Sequence, residues 1–259
     1  MIKESYSNIK DWYEGYLTSF NSEDSEVQLN FELKKAHSLR VSELIRDLGE
    51  NLNLIESDLL LAECIGLLHD VGRFEQLAQY GTLADTPEVN HSEIGISVLE
   101  ESQVLDHLDE AEKEVILGAI KFHNLDKLPK INDKNLLFFS QLLRDADKLD
   151  VFQIVADYYN DNKAQPNKNL EMNLPENLEI SKKVYDSIMN EKTVDMKYVA
   201  TLNDYKLLQM SWIFDLNIKR SFQIVNEKSY LKKIYETMPK RDEVIDMYRN
   251  LKIYMENQL

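Results

Sequence analysis

Four of the chain's five histidines occupy positions where a helix would turn them inward. His37 shares a helical face with Leu33, Val41 and Leu44. His69 follows Ala62 and Ile65, His91 precedes Ile94 and Val98, and His123 follows Ile116 and Ala119, each at helical spacing. Two carboxylates join them: Asp70, directly after His69, and Asp147, between Leu143 and Val151. Burying an imidazole or an ionised carboxylate costs several kcal/mol unless the group is hydrogen-bonded, paired or bound to a metal. A single inward histidine is ordinary core chemistry. Polar residues at inward positions on five separate helices call for a shared partner, and helix bundles supply one by building metal sites from inward ligands. His107, in the polar stretch Asp106 to Asp109, reads instead as a surface residue.

The elements that must position these residues are helical. Only 7 glycines and 5 prolines interrupt 259 residues, and strand-like alternation is nowhere sustained. Helices are expected at about 6–20, 27–49, 56–71, 91–102, 109–123, 133–159, 178–190, 203–225, 227–237 and 240–257, so the fold class is all-α. Ser57-Asp58, Asp109 and Asn132-Asp133 carry N-terminal capping signals. The stretches Tyr80 to Asn90, with Gly81 and Pro87, and Asp161 to Asn177, with Pro166 and Pro175, read as loops. These breaks divide the chain into an N-terminal helical extension (1–26), a metal-binding core (27–160) and a C-terminal helical extension packed on the core (161–259). Trp212, Phe214 and Phe222 in the last segment are expected to be packing residues.

A formal net charge of −16 disfavours long nucleic acid as a partner, because the surface would repel its backbone. Cys64 is the only cysteine, which excludes an internal disulfide and a thiolate zinc site and fits a reducing, cytoplasmic location. The most apolar run, Leu59 to Leu68, is too short to span a bilayer and contains Glu63, so no membrane association is expected.

The ordered set His37, the doublet His69-Asp70 within His-Asp-Val-Gly-Arg, and the distal Asp147 within Arg144-Asp-Ala-Asp-Lys-Leu-Asp150 resembles the HD-domain superfamily of metal-dependent phosphohydrolases. The resemblance covers roughly residues 27–155. His91 in Asn-His-Ser-Glu-Ile-Gly95 and His123 in Lys-Phe-His-Asn124 match the order of the binuclear branches. It therefore implies two ions, one held by His37, His69, Asp70 and Asp147, the other by Asp70 as a bridge with His91 and His123. A set of imidazoles and carboxylates without thiolate suits Mn, Fe, Co or Ni better than Mg or Zn. Arg73, one turn beyond the doublet, is similar to the basic residue that contacts substrate phosphate in many relatives, and Lys148 is assigned the same role beside Asp147. Thr82 and Asp85 are placed at the substrate mouth by their loop, while Asp145 and Asp150 read as solvated or capping charges. The chain lacks a Gly-Tyr-Pro motif and has Asn124 where a second histidine would follow His123, which separates it from cyclic-dinucleotide phosphodiesterases. It also lacks the added basic and allosteric apparatus of the large dNTP triphosphohydrolases.

The resemblance implies cleavage of a phosphoester in a small phosphorylated metabolite or nucleotide by metal-activated hydroxide, with Asp70, Arg73 and Lys148 as catalytic residues. Two alternatives stay open. The ligand order also resembles HD-type mixed-valent di-iron oxygenases that act on a small polyol or phosphonate. A non-catalytic, metal-stabilised sensor or interaction module would also satisfy the inward ligands.

Overall fold

The computed structural model describes residues 1–86, 88–161 and 167–259, with backbone only at positions 168 and 169. Pro87 and Pro166, two of the residues read as loop formers, lie outside the described residues. Every regular element described is helical: α1 (Lys3–Leu17), α2 (Ser25–Asn51), α3 (Glu56–Leu68), α4 (Gly72–Tyr80), α5 (His91–Ser102), α6 (Glu110–Phe122), α7 (Lys134–Asn160), α8 (Lys168–Glu171), α9 (Lys182–Met189), α10 (Leu202–Ser211), α11 (Lys219–Glu227), α12 (Tyr230–Glu236) and α13 (Asp242–Asn257). Short 3₁₀ turns lie at Met196–Tyr198 and Trp212–Asp215. No helix among the described residues is long and apolar enough to cross a membrane. The chain divides into two compact units, Met1–Asp147 and Lys148–Leu259.

In the first unit, α3 is the central element. Leu59 to Ala62, Cys64 and Ile65 to Leu68 are all buried, so this helix is enclosed on nearly every side. Its close packing on α2 depends on Gly66, because a Cβ there would lie 2.9 Å from Ser42 Cα. The N-terminal helix buries Ser5, Ile9 and Tyr13 along one stripe. Beyond that stripe, Tyr16 and Phe20 pack edge-on or tilted against Phe74 of α4, and Phe31 of α2 stacks on Phe74 and also meets Phe20. Tyr16 also donates a hydrogen bond to the Val71 carbonyl at 3.2 Å, so α1 props the turn that follows the His69-Asp70 doublet.

Asp109 and Asp133 act as caps, accepting from the backbone N–H of Glu112 at 2.8 Å and of Leu136 at 2.7 Å. Ser57 and Asp58 do not. The N-cap of α3 is Ile55, which places Glu56 and Asp58 inside the first turn, where they face the positive end of the helix dipole. Two further expectations differ from the structure. The segment 72–80 is a helix, α4, and the single helix expected over 203–225 is broken. There the Ser211 hydroxyl turns back to the Leu208 carbonyl at 2.7 Å, the next residues tighten into a 3₁₀ turn, and Leu216 is extended.

The second unit is held by its own core. Phe152 stacks on Tyr230 and meets Trp212 edge-on, and Phe214 and Phe222 pack against Tyr254, so these aromatics are packing residues. Val184 and Ile188 of α9 and Val244, Met247 and Leu251 of α13 are fully buried. Buried Asp204 is satisfied by Ser181 N–H and O–H and by Ala200 N–H at 2.6–3.0 Å.

Candidate metal centre

α3 ends at Leu68, but the chain keeps right-handed helical angles through His69 and Val71, and Arg73 N–H bonds back to the Asp70 carbonyl at 2.9 Å. Arg73 is therefore brought round to Asp70. The turn presses directly on the start of α5: a Cβ on Gly72 would lie 2.1 Å from the His91 carbonyl oxygen and 2.4 Å from Gly95 N. Only glycine allows this approach, and the approach carries His91 to the doublet.

The four histidines converge as two pairs. His37 and His69 place their Nε2 atoms 3.2 Å apart, and His91 and His123 place theirs 3.0 Å apart. Asp70 lies between the pairs and divides its carboxylate. Oδ2 is 3.6 Å from His37 Nε2 and 3.7 Å from His69 Nε2, whereas Oδ1 is 3.3 Å from His91 Nε2 and 3.8 Å from His123 Nε2. Asp147 Oδ1 adds to the first pair, 3.2 Å from His37 Nε2 and 4.0 Å from His69 Nε2. The four imidazoles and Asp70 are buried.

The remaining ring nitrogens fix the tautomers of His69, His91 and His123. His69 Nδ1 is 2.8 Å from the Gly66 carbonyl and His123 Nδ1 is 2.7 Å from the Ile120 carbonyl; carbonyls only accept, so each Nδ1 carries the proton. His91 Nδ1 donates to the Asp85 carboxylate at 2.7 Å. Burial pushes the pKa of His69 and His91 down to about 4, against the opposing pull of Asp70 on His69 and Asp85 on His91. Neutral, with Nδ1 protonated, His69 and His91 each turn an Nε2 lone pair toward Asp70, at 3.7 Å from Oδ2 and 3.3 Å from Oδ1. Lone pairs of an imidazole and a carboxylate that face each other repel unless a cation accepts them, and this donor set fits divalent transition ions. Two groups can each hold an ion: His37, His69 and Asp70, and Asp70, His91 and His123, with ligand atoms in each group within 4.8 Å of one another.

The carboxylates stay ionised despite their surroundings. Burial alone would raise the pKa of Asp70, but Lys34, the neighbouring imidazoles and Arg73 hold it well below the usual carboxylate range. For Asp147, burial is outweighed by its hydrogen bond to His37 and by the histidine cluster, and for Asp85 by His91 and Arg73.

The comparison of the chain with protein families matches the HD domain over residues 35–152. That stretch is an HD domain. No curated protein and no solved structure matches the chain. The HD domain and its two His/Asp groups suggest a metal-dependent, hydrolase-type function.

Around the HD-domain cluster, the other candidate residues are placed unequally. Arg73 Nε lies 3.5 Å from Asp70 Oδ1, while its Nη1 reaches Gln76 Oε1 at 2.9 Å and Asp85 Oδ1 at 3.2 Å. Asp85 turns its carboxylate to His91, Gln76 and Arg73, so it backs the site. The Thr82 hydroxyl accepts from Ala84 N–H in a local turn. Lys148 belongs to the second unit, where its Nζ is 2.8 Å from Asp215. Asp145 and Asp150, expected to be solvated, are fully buried, and so is Arg144, whose guanidinium gathers the carbonyls of Phe122 and His123 at the end of α6. Between Asp145 and Asp150 on α7, Asp147 and Lys148 are half-buried.

Sequence reasoning missed Lys34, whose Nζ is 2.9 Å from Asp70 Oδ2. The helical phase explains why. The buried arc of α2 runs through Phe31, Ser38, Val41 and Ile45, with His37 at its edge. At about 100° per residue, Leu33 and Leu44 fall about 40° and 20° beyond that edge. Leu33, expected inside, is accordingly 47% exposed and Leu44 half-buried. Lys34 lies inside the arc. A lysine within an otherwise uncharged, histidine-bearing arc was the available signal.

Proposed function

We propose that the protein is a metal-dependent phosphohydrolase that uses two divalent transition ions to cleave a phosphoester in a small phosphorylated metabolite or nucleotide. The observation that carries this reading is the division of Asp70: each carboxylate oxygen faces a different histidine pair, and each has a cation beside it, Lys34 on Oδ2 and Arg73 on Oδ1. His37, His69, Asp70 and Asp147 would hold one ion, and Asp70, His91 and His123 the other. Ions at these positions supply Lewis acidity toward phosphoryl oxygens and a lowered water pKa.

The chain's own residues do the rest. The buried imidazoles exclude bulk water, and His69 and His91 present neutral Nε2 atoms. Arg73 Nη2, which has no hydrogen-bond partner among the described residues, is the donor available to a phosphate oxygen, while Asp85 and Gln76 hold the guanidinium through Nη1. In a chain of net charge −16, these local cations let an anionic substrate approach.

The test is phosphate release from a panel of nucleotides, sugar phosphates and phosphodiesters by protein of measured metal content. Activity that disappears with a chelator and returns with Mn²⁺ supports the proposal. Fully loaded protein that cleaves nothing on the panel overturns it, and substrate-dependent O₂ uptake by the iron-loaded form would put the oxygenase reading in its place.

A further inference from the structure

The two halves of the cluster differ in how they obtain negative charge. The His37/His69 side has Asp70 Oδ2 and a carboxylate of its own, Asp147. The His91/His123 side has Asp70 Oδ1 and no second carboxylate among its candidate ligands. An additional acid stands one imidazole away: Asp85 accepts His91 Nδ1–H through both oxygens, at 2.9 and 2.7 Å, and takes the His91 backbone N–H at 3.1 Å. A carboxylate on the far nitrogen raises the basicity of the imidazole as a ligand and fixes its rotation.

The same carboxylate accepts Gln76 Nε2 at 3.0 Å, Arg73 Nη1 at 3.2 Å and Asn124 Nδ2 at 3.4 Å. Asp85 lies between α4 and α5, outside any helix, and is held in place by these donors from α4, from α5 and from the residue after His123. Neither His69 nor His123 has such a partner, since each gives Nδ1–H to a backbone carbonyl three residues back, fixed by its own helix.

We propose that Asp85 is the positioning residue of the second ion site: it supplies through His91 the charge that this half lacks, and it ties that site to the phosphate-facing Arg73. The inference rests on the two-ion reading above. Three consequences follow. The ions bind unequally, with the His37/His69 site filling first. Occupancy of the second site depends on the 82–90 connection. Loss of Asp85 weakens one site and leaves the other.

The experiment is a Mn²⁺ titration of the full chain, wild type against Asp85→Asn and Asp85→Glu, followed by electron paramagnetic resonance and by metal content after dialysis, without substrate. Asparagine retains an acceptor while removing the charge, and thermal unfolding of the metal-free proteins checks that the fold is kept. The expected result is a 10–100-fold weaker second affinity in Asp85→Asn, an unchanged first affinity, loss of the spin-coupled two-ion signal, and partial recovery in Asp85→Glu. Equal weakening of both sites, unchanged binding of both, or a wild type that takes only one ion overturns the inference. Wild type that binds two ions and cleaves no phosphoester would sink the phosphohydrolase reading while leaving the role of Asp85 intact.

Discussion

The two halves of the histidine cluster look alike in ligand type and differ in what supports them. His69 leaves the enclosed helix α3, its Nδ1 fixed by a carbonyl of the same helix, and its partner His37 is met by Asp147. His91 opens α5 after an irregular connection, and its orientation rests on a carboxylate in that connection and on a helix contact that tolerates no Cβ. His69 is fixed by its own helix, as is His123 in the other half, whereas His91 is fixed by loop and long-range contacts.

The strongest way to break the distinction is to remove what both halves share. Asp70→Asn is expected to abolish stable binding of both ions, read as metal per chain after dialysis, and to leave any phosphoester hydrolysis at background; retention of one tightly held ion would show that the halves do not depend on a common carboxylate. Next is Gly72→Ala. Its Cβ would lie 2.1 Å from the His91 carbonyl, so α4 and α5 must separate, costing about 3 kcal/mol in urea unfolding and weakening the His91/His123 site before the other. Stability within about 0.5 kcal/mol of wild type would mean that the contact relaxes freely.

Asp147→Asn should act on the opposite half. It removes a candidate ligand, so the affinity of the His37/His69 site should fall by more than the roughly 100-fold upper range of an outer-shell change, with the second site affected less; isothermal titration separates the two steps. The smallest effect is expected from Cys64→Ala. Cys64 is buried, with its thiol pushed up by burial, and it belongs to neither group of ligands. A cost of about 1 kcal/mol in stability with both ion affinities unchanged is the expected outcome, and in wild type a thiol reagent should label it only on unfolding.

Much of the site was legible because it is written in helical phase. His69 and His123 close helices whose apolar residues one and two turns back are buried, so period alone placed them inward. The same reasoning misjudged the edge of an arc, as Leu33 shows. It also could not see that charged residues on α7, Asp145 and Asp150, are buried, because periodicity does not reveal a packing partner. The helix over 72–80 opens on Gly72, a poor helix former whose place there is explained only by the close approach of α5.

The sequence by itself determined the all-helical class, the inward direction of the four histidines and the chemistry of a thiolate-free ligand set. Those depend on residue type and on a period of 3.6, both local properties. Tertiary structure alone decided the distances between the paired histidines, which Asp70 oxygen faces each pair, and that Lys34 and Asp85 serve the cluster. His37 and His69 are 32 positions apart, as are His91 and His123, and distances across such separations are set by how helices pack, through contacts such as Gly66 on Ser42 and Gly72 on His91.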